Sequence, residues 1–252
     1  LALGRLAAID PEALWALSGQ DAAAPEEPRT LEAMLASRTA LLTAYQDAAY
    51  AARHRGFVEE IAGRLAGLDA EPFLIEVARG LARLMAYKDE YEVARLYTDP
   101  AFMAGLADTF SGKLKPSLNL APPLLPLGKD PRTGRPRKIA VGGWVLPLFR
   151  LLRRGKALRG TPFDPFGHTA ERRLERALIG EYQAMVRSLA EGMTAGKLAL
   201  ATEIAAAPAL AAGYGPVKEA GVAAYRARVE ALLAAFRLET APGDEKAAAE
   251  IA

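Results

Sequence analysis

The sequence predicts a mainly α-helical fold with one small β-hairpin near residues 116–142. The apolar content is 51% of 252 residues, which supports a real core, and it comes chiefly from alanine and leucine, which are strong helix formers. Valine and isoleucine, which favour strands, are sparse. Apolar residues of the N-terminal half also recur every three or four positions, as on the buried face of a helix.

The chain is expected to divide into four parts. Residues 1–20 are predicted to be a connector helix that continues from a preceding domain, because the chain starts without methionine inside a helical pattern. The proline-rich and acidic residues 21–30 are predicted to be a linker. Residues 31–238 are expected to form a single helical domain with the hairpin as an insertion, and residues 239–252 a flexible tail.

The helices before the hairpin are predicted from apolar periodicity and from capping residues. Thr30 is a suitable N-cap for a helical pattern from Leu31 to about Leu68, which is either one long helix or a pair joined near Gly56. A further helix is predicted from Glu71 through Tyr97, before the Asp-Pro sequence that ends it.

The second half of the chain changes character at the hairpin. KPSLNLAPPLLPL and RKIAVGGW flank the turn-rich GKDPRTGRP, a layout that predicts two short strands joined by a turn. VLPLFRLLRRG then predicts a short helix, and Thr169 is expected to cap a charged helix from Ala170 to about Glu191. A buried apolar helix at residues 196–207 and an amphipathic helix that ends near Arg237 complete the pattern.

The stretch MAYKDEYEVARLYTD, residues 85–99, places many charged residues and three tyrosines in a predicted helix. On a helical wheel Asp89 lies inside an apolar stripe, and because an unpaired buried carboxylate is costly, it is expected to pair with Arg38 or Arg53 of another helix. The alternative makes Lys88 and Asp89 a proton-transfer pair, which needs a cleft that the sequence does not show. The structural ion-pair candidates are Arg38, Arg53, Lys88, Asp89, Glu92 and Arg95.

A concentrated positive charge occupies residues Lys129–Arg159, with ten basic residues and one acid in a chain whose formal net charge is +2. Such a segment can attract an acidic protein or a phosphate-bearing cofactor by long-range steering. The alternative is a solvated face that balances the acidic linker around Glu26, Glu27 and Glu32. The candidate binding residues are Arg150, Arg153, Arg154, Lys156 and Arg159. Nucleic acid is not expected as a partner, because the recognition motifs that bind it are not recognisable.

Several chemistries are excluded or not expected. The chain has no cysteine, so it forms no disulfide, thiolate zinc site or cysteine-held iron–sulfur cluster of its own. His54 and His168 lack a second ligand at a metal-binding spacing, so each is predicted to be a surface or capping residue, and neither a metal site nor a catalytic residue is identified. Phe163 and Phe166 are expected to dock a loop onto the core. Without an apolar run of membrane-spanning length or a signal peptide, the protein is expected in the cytoplasm, with no membrane partner.

Five segments together resemble a known family. They are TAYQDAAYAARHR, LMAYKDEYEVARLYTDP, LAPPLLP, RGTPFDPFGHTAERRLER and GYGPVKE. In this order and spacing they are similar to the C-terminal helical region of the large fused indolepyruvate:ferredoxin oxidoreductases, from about residue 38 to residue 236. LALGRLAA at the start resembles the last helix of the preceding domain in those enzymes. The chain departs from the family at Gly215-Pro216, where a histidine is expected after the glycine.

The resemblance implies a parent enzyme that oxidatively decarboxylates indolepyruvate or a related 2-oxo acid on thiamine diphosphate and Mg. Electrons pass through iron–sulfur clusters to ferredoxin, and the acyl group passes to coenzyme A. The resemblance supplies no catalytic residue for this segment, whose partners are then the other domains of the same polypeptide, in a homodimer, and whose catalytic machinery is expected upstream of Leu1.

Two roles for the segment remain open within that family. The segment is either a structural domain without a cofactor of its own, or its basic residues also dock ferredoxin or coenzyme A. A third alternative is a free-standing helical protein-interaction module with no enzymatic parent.

Overall fold

The structure, a computed structural model, confirms the mainly helical fold and the hairpin. It describes residues 27–109, 117–120, 128, 137, 139–213 and 216–238. The α-helices among them are α1 (Leu31–Tyr45), α2 (Ala48–Arg64), α3 (Glu71–Met85), α4 (Glu90–Tyr97), α5 (Pro100–Thr109), α6 (Leu146–Leu152), α7 (Ala170–Glu191), α8 (Leu198–Ala206) and α9 (Pro216–Leu238). The strands are β1 (Ser117–Leu120) and β2 (Ile139–Gly142), and short 3₁₀ helices cover Gly143–Val145, Arg153–Leu158 and Ala207–Leu210.

Some predicted features fall outside the described residues. They are the connector helix at 1–20, most of the linker at 21–30, the tail at 239–252, nearly all of the hairpin turn, and Tyr214-Gly215.

The N-terminal pattern forms a pair of helices, and the junction differs from the predicted one. The side chain of Asp47 accepts a hydrogen bond from the backbone N–H of Tyr50 at 2.7 Å and so caps α2. The predicted junction near Gly56 is wrong, because Gly56 lies inside α2. Thr30 caps α1 as predicted, accepting from the N–H of Ala33 at 3.3 Å.

The predicted helix from Glu71 through Tyr97 is also two helices. Helix α3 ends at Met85, and Asp89 begins α4 as its N-cap, with the backbone N–H of Glu92 donating to Asp89 Oδ1 at 2.8 Å. The helical-wheel placement of Asp89 is therefore wrong, because the residues just before α4 are not helical. This break allows the Asp89 side chain to leave the helix surface and point into the interior.

Helix α3 is the centre of the main core. Its apolar residues Phe73, Val77 and Leu81 recur every four positions and are fully buried, since α3 is packed by α1, α2, α7 and α8. Position 80 has no room for a side chain, because a Cβ added to Gly80 would lie 2.6 Å from the Tyr182 hydroxyl oxygen. The tight packing follows from this small residue.

A second, smaller core lies between α4, the two strands and α6. Strands β1 and β2 pair antiparallel with Leu118 opposite Val141, and both side chains point into this core. Val145 and Phe149 enter it from the α6 side, against Ala94 of α4. The hairpin therefore serves to hold α6 against α4.

The C-terminal helices agree with the prediction. Thr169 caps α7, with its Oγ1 accepting from the N–H of Arg172 at 3.2 Å. Helix α8 is short and apolar, and α9 ends at Leu238. Across the described segments, the helices are too short or too polar to cross a membrane.

Candidate functional site

Asp89 and Arg159 form a buried ion pair between α4 and the segment after α6. Arg159 Nε donates to Asp89 Oδ2 at 2.6 Å and Nη2 donates to Oδ1 at 2.9 Å, so the contact is bidentate. Each side chain is only 3% exposed. The expectation that Asp89 is buried and paired with an arginine is correct, but the partner is 70 residues away in sequence.

The predicted partners of Asp89 lie elsewhere. Arg38 pairs with Glu27 at 2.6 Å, at the surface. The guanidinium of exposed Arg53 lies 5.3 Å from the centroid of the Tyr50 ring. Both therefore stabilise the N-terminal helices without reaching Asp89.

The remaining ion-pair candidates act locally. Arg95 Nε and Nη2 donate to the two carboxylate oxygens of Glu92 at 2.8 and 2.7 Å, within one turn of α4. Lys88 is exposed, whereas Asp89 is buried against Arg159. The Asp89 carboxylate is thus engaged by Arg159 and by the cap of α4.

Tyrosines enclose the ion pair. The Arg159 guanidinium lies 3.7 Å from the centroid of the Tyr45 ring, and its Nη1 donates to the Tyr45 carbonyl oxygen at 2.8 Å. The Tyr45 hydroxyl donates to the Tyr87 carbonyl at 2.8 Å, and the Tyr50 hydroxyl donates to the Met85 carbonyl at 3.0 Å. Carbonyls at a helix end lack partners within the helix, so the Tyr50 hydroxyl completes the end of α3 and the Tyr45 hydroxyl holds the loop that follows it.

Asp164 extends the network into the loop after Arg159. Its Oδ1 accepts from the Tyr91 hydroxyl at 3.0 Å and from the Phe166 N–H at 3.1 Å, and its Oδ2 accepts from the Gly160 N–H at 3.2 Å. One buried carboxylate therefore fixes the whole loop. We call the set Tyr45, Tyr50, Tyr87, Asp89, Tyr91, Arg159 and Asp164 the Asp89–Arg159 cluster.

The protonation states in the cluster are fixed by burial and pairing. Burial raises the pKa of Tyr45 well above its usual value; the nearby Asp89 adds to this and Arg159 opposes it. For Arg159, burial lowers the pKa, but the hydrogen bond to Asp89 and the charge interactions with Tyr45 and Asp89 outweigh it, so the pKa is raised. At neutral pH the phenol stays protonated and the guanidinium stays charged, which suits a structural role better than proton transfer.

A second buried charge group lies at the start of α7. Arg172 hydrogen-bonds Glu175, and its Nη2 lies 3.8 Å from Glu90 Oε1. Burial raises the pKa of both glutamates, although Arg172 opposes the shift in each. Arg172 also approaches the Tyr87 ring, with 5.6 Å between the guanidinium and the centroid. This group therefore links α7 to the Asp89–Arg159 cluster.

The predicted basic binding residues divide into two kinds. Arg153 Nη1 donates to the Thr98 carbonyl at 3.3 Å and Lys156 Nζ to the Ala44 carbonyl at 3.0 Å, so these two hold the chain in place. Arg159 was predicted to belong to the same surface, but it is buried in the cluster and cannot contact a partner. Exposed cations of this set are Arg150 and Arg154, for which the described residues offer no hydrogen-bond acceptor.

Two other predictions need correction. His54 was expected at the surface or in a cap, but it is fully buried, with Nε2 2.8 Å from the Ala78 carbonyl oxygen. Phe166 docks the loop as expected, packing edge-on against Tyr91 with 5.3 Å between centroids. Phe163, by contrast, is 81% exposed.

Some residues of the site were not predicted at all. Asp164 contacts Tyr91 and Arg172 contacts Glu90 across segments distant in sequence, which no local pattern shows. Glu175 pairs with Arg172 three residues away on the same helix. A local signal did exist for the cap, because Asp89 followed by Glu92 matches the spacing of a capping box at the start of a helix.

A surface cleft of about 640 Å³ lies between the residues that precede α1 and the start of α3. Arg79 lies in it, hydrogen-bonded to Glu76 and 3.6 Å from Glu27. The residues of the Asp89–Arg159 cluster do not line this cleft. Within the described ranges, no group of three or more histidine, aspartate or glutamate side chains is placed to hold a metal ion.

The fold and the cluster define a helical domain whose buried polar residues join segments that are distant in sequence. The chain belongs to DUF6537, a family of unknown function, which it matches over residues 31–231. No curated protein and no solved structure matches the chain. The match spans the whole Asp89–Arg159 cluster.

Proposed function

We propose that the chain is the non-catalytic C-terminal helical region of a cytoplasmic 2-oxo acid:ferredoxin oxidoreductase of the indolepyruvate type. In this proposal it packs on the catalytic domains of the same polypeptide, within a homodimer. Thiamine diphosphate, Mg and the iron–sulfur clusters belong to those other domains.

The observation that carries the proposal is the meeting in space of the sequence segments that resemble the family. All seven residues of the Asp89–Arg159 cluster lie in three of these segments, TAYQDAAYAARHR, LMAYKDEYEVARLYTDP and RGTPFDPFGHTAERRLER. Arg159 joins them directly, since it contacts Tyr45 across 114 positions and Asp89 across 70. The resemblance thus falls on residues that act together, which favours a shared architecture over a chance similarity.

The structural role follows from how the cluster uses its polar groups. The Asp89 carboxylate is occupied by Arg159 and by its own helix cap, and the Asp164 carboxylate by the Tyr91 hydroxyl and by backbone N–H groups. Groups paired in this way specify one arrangement of segments, and they offer substrate no free donor or acceptor. The cluster therefore supports a domain that assists a reaction performed elsewhere.

The test uses the complete polypeptide that the gene encodes. We expect it to reduce methyl viologen when supplied with indolepyruvate and coenzyme A, whereas the 252-residue chain alone is inactive. A gene that encodes no catalytic domains upstream would favour the free-standing interaction module instead. Turnover of a 2-oxo acid by the isolated chain would contradict the non-catalytic role.

Docking of ferredoxin or coenzyme A through the basic segment is a second role within the same proposal. The observation that favours it is the exposure of Arg150 and Arg154 without acceptors among the described residues. The two ligands differ in what else they require of the surface, since a coenzyme phosphate needs cations alone and a protein needs apolar contacts as well.

A further inference from the structure

Helix α6 and the 3₁₀ turn before it carry exposed apolar side chains beside their buried face. Val145 and Phe149 face the second core and are buried. Trp144, Leu148 and Leu151 lie next to this buried face, at spacings of four and three residues, and are 74, 54 and 64% exposed. A surface helix normally exposes charged or polar residues, so this exposed apolar stripe is not explained by the fold of the described residues.

Two arginines border the stripe. Arg150 and Arg154 are four residues apart, which places them on neighbouring turns along one edge of Trp144, Leu148 and Leu151. The sequence from Leu146 to Arg159 contains no acidic residue that could neutralise them locally. An arginine fork fits a carboxylate in a planar, bidentate contact, so the border suits an acidic surface.

The segment that carries this surface is anchored beyond the C-terminal end of α6. Beyond Leu152 the chain is fixed by Arg153 on the Thr98 carbonyl, by Lys156 on the Ala44 carbonyl and by Arg159 in the cluster. These three basic residues therefore hold the end of α6 in place, whereas Arg150 and Arg154 are exposed and can contact a partner. A surface formed in advance loses less conformational entropy on binding.

We propose that Trp144, Leu148, Arg150, Leu151 and Arg154, here called the α6 face, dock a protein surface on which carboxylates surround an apolar patch. That the partner is the ferredoxin of the parent enzyme rests on the proposed function. Tryptophan and arginine are the residues that most often dominate the energy of protein interfaces. A coenzyme phosphate would contact the arginines but would leave the apolar stripe uncovered. A second copy of the chain is disfavoured, because a twofold contact would bring the arginine pairs of both copies together.

The test is calorimetric titration of the 252-residue chain with an acidic ferredoxin. We expect binding at low salt, about 50 mM, that weakens as salt is raised, since the arginine contacts are screened. Arg150→Glu with Arg154→Glu is expected to weaken binding about tenfold or more at low salt. Trp144→Ser is expected to weaken binding by a similar factor, about tenfold, at both low and high salt, because it removes apolar contact.

Matched controls separate docking from general attraction. Arg83→Glu with Arg237→Glu makes the same change of net charge at exposed positions of α3 and α9, and should alter the dissociation constant by less than about twofold. Phe163→Ser removes another exposed aromatic side chain outside the α6 face and should also leave binding unchanged. Thermal melts show whether each variant is folded.

Three results would overturn the proposal. The first is no detectable ferredoxin binding by the unmodified chain at low salt, and the second is equal weakening by both charge-reversed pairs. The third is binding to phosphatidylglycerol vesicles that depends on Arg150 and Arg154 while ferredoxin binding does not, since the face would then recognise a lipid surface. The viologen assay of the complete polypeptide is independent of these results, so a failure of docking is distinguishable from a failure of the proposed function.

Discussion

Arg159 illustrates at the scale of one residue why the cluster uses a guanidinium. Two of its nitrogens reach Asp89, a third reaches the Tyr45 carbonyl, and the planar group stacks on the Tyr45 ring. A lysine ammonium is a compact charge that cannot make the fork and the stack together. Lysine at this position is therefore a disruptive substitution despite its equal charge.

Asp89→Ala is expected to destabilise the chain by about 3–5 kcal/mol, because it leaves the Arg159 charge buried without its partner. The substitution also removes the cap of α4. Urea denaturation, monitored by circular dichroism, measures the combined loss in the free energy of unfolding. Asp47→Ala is the matched control, since Asp47 caps α2 in the same way but is exposed, and its loss should cost only about 1 kcal/mol. Equal costs for the two substitutions would contradict the predicted cost of leaving the Arg159 charge unpaired.

His54 is expected to make stability fall as the pH drops below about 6.5. Burial lowers its pKa from 6.5; the hydrogen bond to Ala78 opposes this and Arg38 adds to it. The unfolded chain then binds a proton more readily than the folded one, so the contribution of His54 is complete above pH 6.5 and is lost as the pH falls towards the lowered pKa. The slope from one such group is at most about 1.4 kcal/mol per pH unit.

The comparison of the unmodified chain with His54→Gln isolates this effect in urea denaturation between about pH 5 and 7.5. Glu90 and Glu175 have raised pKa values, so their contribution is present below their unfolded value of about 4.5 and is lost as the pH rises. These two glutamates therefore give stability the opposite dependence on pH from that of His54. Their effect is the same in the unmodified chain and in His54→Gln, so it cancels in the comparison. His168→Gln, at the exposed histidine, should follow the unmodified chain, and a pH dependence that survives in His54→Gln would exclude His54 as its source.

At the scale of elements, close packing of helices around α3 depends on Gly80. An added Cβ would meet the Tyr182 hydroxyl at 2.6 Å and the Ala205 carbonyl oxygen at 2.8 Å, and these two groups are hydrogen-bonded to each other. We expect Gly80→Ala to destabilise the chain by about 1–3 kcal/mol, because the overpacking outweighs the better helix propensity of alanine. Thermal and urea denaturation measure the change.

Gly56 provides the matched comparison inside α2. An added Cβ there meets no atom within 4 Å, so Gly56→Ala should stabilise the chain by about 0.4–1 kcal/mol. If both alanine variants were stabilised, the contact between α3 and α7 would have to be looser than the structure shows.

The sequence predicted elements well where a local signal was sufficient. Thr30 and Thr169 were identified as caps because their side chains act within three residues. The division of the charged stretch into α3 and α4 was missed, since its apolar residues continue the helical spacing and the capping signal at Asp89 lies within that spacing. Periodicity therefore predicted the helices but not all their ends.

At the scale of the whole molecule, two cores of unequal size suggest unequal local stability. The main core contains many fully buried residues, including Phe73 and Val77, whereas the second core rests on a few residues such as Leu118, Val141 and Phe149. Local opening is easier where fewer apolar contacts are lost. We expect amides of β1, β2 and α6 to exchange with solvent faster than those of α3, as measured by hydrogen exchange with mass spectrometry.

Phe149→Ala tests whether the two cores open separately. It should speed exchange in the strands and α6, at a cost of about 3–5 kcal/mol, and leave α3 unchanged. Phe73→Ala in the main core should instead speed exchange throughout. Identical exchange patterns for the two variants would mean that the cores unfold as one unit.

The assembly of the cluster could not be predicted from the sequence, and the reason is physical. Asp89 was correctly expected to be buried and paired, because the cost of an isolated carboxylate does not depend on which partner removes it. Choosing Arg159 over Arg38 and Arg53 requires the path of the chain through β1, β2 and α6, and no local pattern encodes this path. For the same reason Arg153 and Lys156 were assigned to the binding surface rather than to the contacts that they make with the Thr98 and Ala44 carbonyls.

The 70 residues between Asp89 and Arg159 also impose an order on synthesis. At roughly 5–20 residues per second, a ribosome adds Arg159 about 4–14 s after Asp89. During that interval the nascent α1 to α4 carry a carboxylate whose cation has not yet been made, so they cannot settle into their final arrangement. The contact between Asp89 and Arg159 therefore forms only after the arginine has left the exit tunnel.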